Sequence, residues 1–390
     1  MNTEANIPVA QSASDANSSV LFRVVNRVAV ITLSRPKALN ALSHDMILVL
    51  GAILRRCRDD SEVVAVVLRG AGDKAFCAGG DVRSLYEKAL GKDRSWVQFF
   101  ADEYRLDYAI HKFPKPVIAL LDGITMGGGM GLSQGAWLRV TTERSKLAMP
   151  ETRIGLVPDV GASHFLSRLP VGTALYLALS GATASGPEAV SLGLADVCVP
   201  SEWLESFEER LVSTPRSRLD LAVPDVLHRS LRMVFGAGPQ AETEHFVPRL
   251  LPAINAHFPA SKTVTDIVRS LEDSLEVEED PVRTDWLSRT RDALASNSPL
   301  MLNVTRASIL RGREAPLGEC FRRELDVVMR CVEEGDFVEG VRARLVDKDN
   351  QPAWRPASLA EVDQDRVRHF LSSPWSEGDH PLADIERNFP

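Results

Sequence analysis

The sequence predicts an α/β protein built from repeated strand, glycine-loop and helix units and completed by a helical C-terminal half. Three observations carry this reading. The apolar, β-branched runs Val63–Leu68 and Pro116–Leu121 have the length and composition of buried strands. Each leads into a glycine-rich loop and then a helical pattern: Arg69–Asp81 carries four glycines, and Asp122–Gly129 ends in a glycine triplet. The alternation stops near Pro200, beyond which the pattern is charged and helical.

Taken in order, Met1–Ser19 is small and polar and reads as a disordered tail. Leu21–Val25 and Val28–Leu33 form a hairpin around Asn26-Arg27, and Arg35-Pro36 ends the second strand. Ser43 caps a helix whose apolar positions, Met46, Ile47, Leu50, Ile53, Leu54 and Cys57, recur at helical spacing. A second helix opens at Asp81 or Val82, a third covers Ser95–His111, and another starts near Met130. Helical faces follow around Leu166 and Leu175, then a last strand over Ala195–Val199. The resulting division is 1–19 tail, 20–200 core with the active site, and 201–390 helical region and extension. Within the last, the acidic run Leu271–Asp280 reads as a solvated helix face, and Pro299–Leu310 and Cys320–Cys331 as helices.

A net charge of -8 and a pI near 5.6 argue against a nucleic-acid partner. The five cysteines are scattered, with no CxxC pair, which fits reduced thiols, no structural zinc and a cytoplasmic location. No apolar run is long enough to span a bilayer, so no membrane partner is expected.

Chemistry concentrates between Lys115 and Asp159. A strand that turns at glycines into a helix leaves amides at Gly128 and Gly129 without partners, a place where negative charge is stabilised. The Gly79-Gly80 loop supplies a second such set. Glu151 and Asp159 follow prolines in loop-like sequence, where a carboxylate need not be helix decoration. A competing pattern, G-x-S-x-G at Gly131–Gly135, is disfavoured because the glycine triplet makes the turn and Ser133 falls inside the next helix. His164 also follows Asp159 too closely for a late triad histidine. Cys77 reads as a small buried residue, with no neighbouring base to ionise it.

The motifs NRVAVITLSRPKALNAL, KAFCAGGD and GITMGGGMGLS together resemble the crotonase (enoyl-CoA hydratase/isomerase) superfamily. MPETRIGLVPDVG, SPLMLNVT and DFVEGVRARLVDKDNQPAWRP are similar to its 3-hydroxyisobutyryl-CoA hydrolase branch. The resemblance implies a crotonase-like spiral of ββα units and a thioester carbonyl held by the amides of Gly80 and Gly128. It implies a catalytic pair, Glu151 and Asp159, and a substrate-contacting Glu103 in ADEYRLD. CoA contacts around Arg35, Lys37, Ala38, Leu39 and Ala78 follow from it, as does the absence of any cofactor, CoA arriving with the substrate. Hydratases of the superfamily carry a glutamate just after the glycine triplet; here the position is Gly131, which counts against hydration or isomerisation, the alternative activity. Superfamily members often trimerise through C-terminal helices, so a homo-oligomer is left open, the long extension being placed to take over that contact.

Overall fold

The structure, a computed structural model, describes residues 18–238, 246–376 and 378–387. The expected tail lies outside these residues up to residue 17; Ser19 belongs to the first hairpin, its carbonyl accepting from the Ser34 amide at 2.8 Å. The described strands are β1 (Val20–Val25), β2 (Val28–Leu33), β3 (Ala65–Gly70), β4 (Ala75–Cys77), β5 (Val117–Leu121), β6 (Ile124–Met126), β7 (Leu138–Thr141), β8 (Lys146–Ala148), β9 (Ala184–Ser185) and β10 (Val197–Cys198). The first four helices are α1 (His44–Asp59), α2 (Val82–Leu90), α3 (Ser95–His111) and α4 (Gly128–Gln134).

Two sheets share the strands. One runs β1-β2-β3-β5-β7-β10, parallel after the β1-β2 hairpin; the other runs β4-β6-β8-β9, with only β9 antiparallel. The pairs β3-β4, β5-β6 and β7-β8 each give one strand to each sheet, so the expected ββα repeat is a stack of such turns. Asn26 and Arg27 take φ values of 43° and 69°, the left-handed pair that a two-residue hairpin turn requires.

Alternation along the large sheet explains why its strands read as unbroken apolar runs. Val66 and Leu68 face α1 and α3, while Ala65 and Val67 face the opposite side, where Leu204, Phe207, Leu211 and Leu231 cover them. The helices between Ser201 and Phe235 therefore form the back wall of the sheet. Three expectations shift at their edges. The strand expected over Val63–Leu68 begins at Ala65, and that over Ala195–Val199 shortens to Val197–Cys198. The acidic run is helical only to Leu275, because Asp280 caps the following helix, Pro281–Ser296, accepting from the Val282 amide at 2.9 Å.

Candidate active site

The Gly79-Gly80 loop is pinned by the segment after β2. The Ala78 amide donates to Leu39 O at 3.0 Å, Leu42 N to Gly79 O at 2.8 Å, and Asp81 N to Leu42 O at 2.8 Å. Asn40, fully buried, braces the crossing with side-chain bonds to Ala71 O and Ala75 O at 3.0 and 2.8 Å. At the second loop, Gly127 adopts φ 50° and its carbonyl accepts from Met130 N and Gly131 N at 2.7 and 3.1 Å, so α4 begins with the Gly128 amide outside its ladder. The loops touch: a β-carbon at Gly79 would stand 3.6 Å from the Gly128 nitrogen. Among the described residues no protein acceptor is bonded to the Gly80 or Gly128 amide.

Both amides border a cavity of about 290 Å³ that Glu103, Glu151 and Asp159 also line. Glu151 opens a short 3-10 turn, Glu151–Ile154, and its Oε1 would lie 3.0 Å from a β-carbon at Gly127. Its Oε2 is buried without a partner. Glu103 reaches in from α3; a β-carbon at Gly128 would overlap its Oε1, another buried atom without a partner. Asp159 accepts a 2.5 Å bond from the Tyr104 hydroxyl. Burial raises the pKa of all three acids above the ordinary carboxylate range, and Asp159 raises Glu103 and Glu151 further by repulsion. Asp159 itself reaches about 6, the Tyr104 bond holding it down against burial.

Gly131 is explained by a residue that the sequence reading passed over. A β-carbon there would lie 2.5 Å from Asp107 Oδ2 and 2.7 Å from Val160 Cβ. Asp107, one turn after Glu103 on α3, is wholly buried with both oxygens unpartnered, and burial followed by Glu103 raises its pKa. The space a glutamate would need at 131 is thus already filled. In the sequence Asp107 is one of several polar residues on α3, with Gln98, Asp102, Arg105 and His111, and only its complete burial sets it apart.

The C-terminal extension closes and frames the site. Phe337, Arg344 and Leu345 complete the cavity wall. The turn after Glu151 is held by Asn297 Nδ2 to Thr152 Oγ1 at 3.0 Å and Ser298 N to Thr152 O at 3.2 Å. Asp336, buried, joins Ser298 Oγ at 2.6 Å to the Arg355 amide at 3.0 Å.

The residues expected to contact CoA are grouped together. Lys37 and Ala38 are exposed on a short 3-10 turn, Leu39 follows at φ 51°, and Ala78 lines the cavity beside them. Arg35 is already engaged, pairing with Asp81 Oδ2 at 3.0 Å and donating to Ala41 O at 2.7 Å. Ser133 lies buried within α4, its hydroxyl bonded to Met130 O at 3.0 Å. Burial pushes the Cys77 thiol up to about 12, which leaves it inert.

Fold and glycine loops define a class, and comparison agrees. A family model described as enoyl-CoA hydratase/isomerase matches residues 28–371, and the chain belongs to that family. A zebrafish (Danio rerio) protein named 3-hydroxyisobutyryl-CoA hydrolase, mitochondrial, is 39% identical over 93% of this chain and 91% of its own. An Arabidopsis thaliana protein named 3-hydroxyisobutyryl-CoA hydrolase 1 is 37% identical over 94% and 95%. A crystal structure of a carnitinyl-CoA dehydratase from Mycobacterium thermoresistibile superposes with a TM-score of 0.80 at 35% identity, covering 91% of this chain and 97% of that one.

Proposed function

We propose that this protein hydrolyses a short branched 3-hydroxyacyl-CoA thioester, 3-hydroxyisobutyryl-CoA foremost, to the free acid and CoA, as in valine breakdown. One observation carries the reading: two glycine loops with unpartnered amides meet over a buried glutamate in a single cavity. In it, the thioester oxygen lies between the Gly80 and Gly128 amides, which form an oxyanion hole as the carbonyl becomes tetrahedral. Glu151 supplies the attack, through its own oxygen or through a water that it deprotonates, and the CoA thiolate departs. Asp159, aimed by Tyr104, takes the substrate hydroxyl or the water, and Glu103 bounds the acyl end. A 290 Å³ space suits a short acyl group and its thioester. The remainder of CoA then runs along Arg35, Lys37, Ala38, Leu39 and Ala78. The chemistry calls for no metal or redox group. Buried, unpaired cysteines support a reducing compartment, the cytoplasm in our reading; among the described residues no helix is long and apolar enough to cross a membrane.

The solved dehydratase raises hydration as the second reading. Gly131 and Asp107 weigh against it, because no second glutamate fits beside the glycine triplet. A thiol-release assay over a panel of acyl-CoAs, run beside hydration of crotonyl-CoA, tests both. Fastest release from 3-hydroxyisobutyryl-CoA with negligible hydration is expected; hydration outrunning thiol release would overturn the assignment. Single turnover in ¹⁸O-labelled water together with hydroxylamine trapping tells the two routes of attack apart. Label in Glu151 reports an anhydride hydrolysed at the Glu151 carbonyl, a trapped Glu151 hydroxamate or acyl hydroxamate reports an anhydride hydrolysed at either carbon, and neither signal reports attack by water.

A further inference from the structure

Asp159 stands at the start of a turn that the backbone does not adopt readily. Val160 has φ 52° and Gly161 φ 86°. A β-branched residue in the left-handed region is a steric outlier, and such a conformation persists only where the surroundings over-determine it. Here the surroundings are a turn bond from the Ala162 amide to Asp159 O at 2.8 Å and two side chains from the C-terminal half. Glu324, on the helix Leu317–Glu333, accepts from the Gly161 amide at 2.7 Å through Oε2. Through Oε1 it accepts from the Ser163 amide at 2.8 Å and the Ser163 hydroxyl at 2.5 Å. One turn earlier, Phe321 closes on the same corner, 3.1 Å from where a β-carbon at Gly161 would stand. Its ring centroid lies 5.6 Å from that of Tyr104, the donor to Asp159.

Glu324 is out of place by every criterion except this contact. It occupies the apolar stripe of an amphipathic helix, among buried Phe321, Leu325 and Val328, and is 2% exposed. No arginine or lysine among the described ion pairs neutralises it. Burial pushes its pKa up to about 8 despite three bonds that favour the ion, so the carboxylate works against the stability of the fold. It does not line the substrate cavity.

We propose that Glu324 is a positioning residue of the reaction: its carboxylate fixes the Val160–Ser163 turn and so aims the Asp159 carboxylate, without contact to the substrate. This rests on the reading that Asp159 takes part in thioester hydrolysis. Glu324→Gln keeps the size but turns an amide N–H₂ against one of two backbone N–H donors. Turnover of the variant is expected to fall about tenfold, with KM within twofold of wild type and no fall in Tm. Paired with Tyr104→Phe, which removes the other support of the same carboxylate, the combined loss should fall short of the product of the single losses. Ser163→Ala, which removes one bond of the three and is the milder disturbance should Glu324→Gln fail to fold, is expected to lower kcat roughly threefold. Wild-type kcat in both Glu324→Gln and Ser163→Ala, a change confined to KM, or losses that multiply when Glu324→Gln is combined with Tyr104→Phe would overturn the proposal. Failure of the wild-type protein to release thiol from any acyl-CoA would instead remove the hydrolase reading on which it rests.

Discussion

Around the cavity, the acids contributed by the ββα units, Asp159 with its Tyr104 bond excepted, and those contributed by the extension are treated in opposite ways. Glu103 Oε1, both Asp107 oxygens and Glu151 Oε2 are buried without partners, whereas Glu324 and Asp336 each collect two or more bonds from the loops that they touch. A buried polar atom left unpaired costs about 1–3 kcal/mol, and a fold does not retain several in one place unless a ligand or a proton satisfies them. Satisfied acids of the second kind hold backbone in place. The difference separates groups kept for reaction from groups kept for geometry, and each class should fail in its own way.

The reacting class should show the largest effect. Glu151→Gln is expected to lower kcat about 10³-fold in the thiol-release assay while leaving CoA binding measurable, since it removes either the nucleophile or the base. An unchanged rate would place Glu151 among the framing groups. Because burial and the Asp159 charge raise its pKa, ionised Glu151 becomes more abundant as pH rises, so the wild-type rate should climb with pH through that raised value.

The unequal treatment of the two regions also explains what could be read without coordinates. The ββα order and the two glycine loops follow from local signals, short β-branched runs and glycine turns, whereas the choice of the Gly80 and Gly128 amides and of Glu151 and Asp159 rests on the resemblance of the motifs that hold them. Glu324 and Asp107 carry no such signal by themselves. Their meaning comes from what packs against them from 163 or 24 residues away, a loop amide in one case and the bare α-carbon of Gly131 in the other. A charge in the apolar stripe of the helix Leu317–Glu333 was the one available hint. The 201–297 stretch held no readable chemistry because its first helices do a packing job, covering Val28, Val30 and Val67 on the back of the sheet.

Stability should move opposite to rate for a reacting acid. The Asp159 carboxyl rises from its ordinary 3.8 to about 6 in the folded chain. Between those values the folded protein binds more protons than the unfolded one, so this group's contribution to stability falls as pH rises across pH 4 to 6. Above pH 6 the deficit is constant, on the order of 3 kcal/mol. Asp159→Asn, which can still accept from Tyr104, should therefore be slower yet melt higher than wild type at pH 7.5, with the gain fading by pH 4. A variant that melts lower at pH 7.5 would mark Asp159 as a framing group instead.

The donors belong with the reacting class although they are backbone. Gly128→Ala adds a methyl where Glu103 Oε1 now sits, so the acid must move and the amide tilts away from the carbonyl. A kcat about 10²-fold lower is expected. Gly128→Ala at wild-type speed would separate that amide from the chemistry.

Ser298→Ala tests the framing class at its most economical point. The Ser298 hydroxyl does two things: it accepts from the Met301 amide at 3.1 Å, capping the helix Pro299–Gly312, and it donates to Asp336 Oδ2 at 2.6 Å. Losing the cap removes about 1 kcal/mol, and a buried Asp336 oxygen left without its donor adds a similar amount. In a chain of this size that corresponds to a Tm lower by a few degrees. The Ser298 amide keeps its own bond to Thr152 O, so the Glu151 turn should stay in place and kcat should change by no more than about threefold. A rate loss approaching that of Glu151→Gln, with Tm unchanged, would mean that the frame reaches the chemistry directly and that the two classes of acid are one.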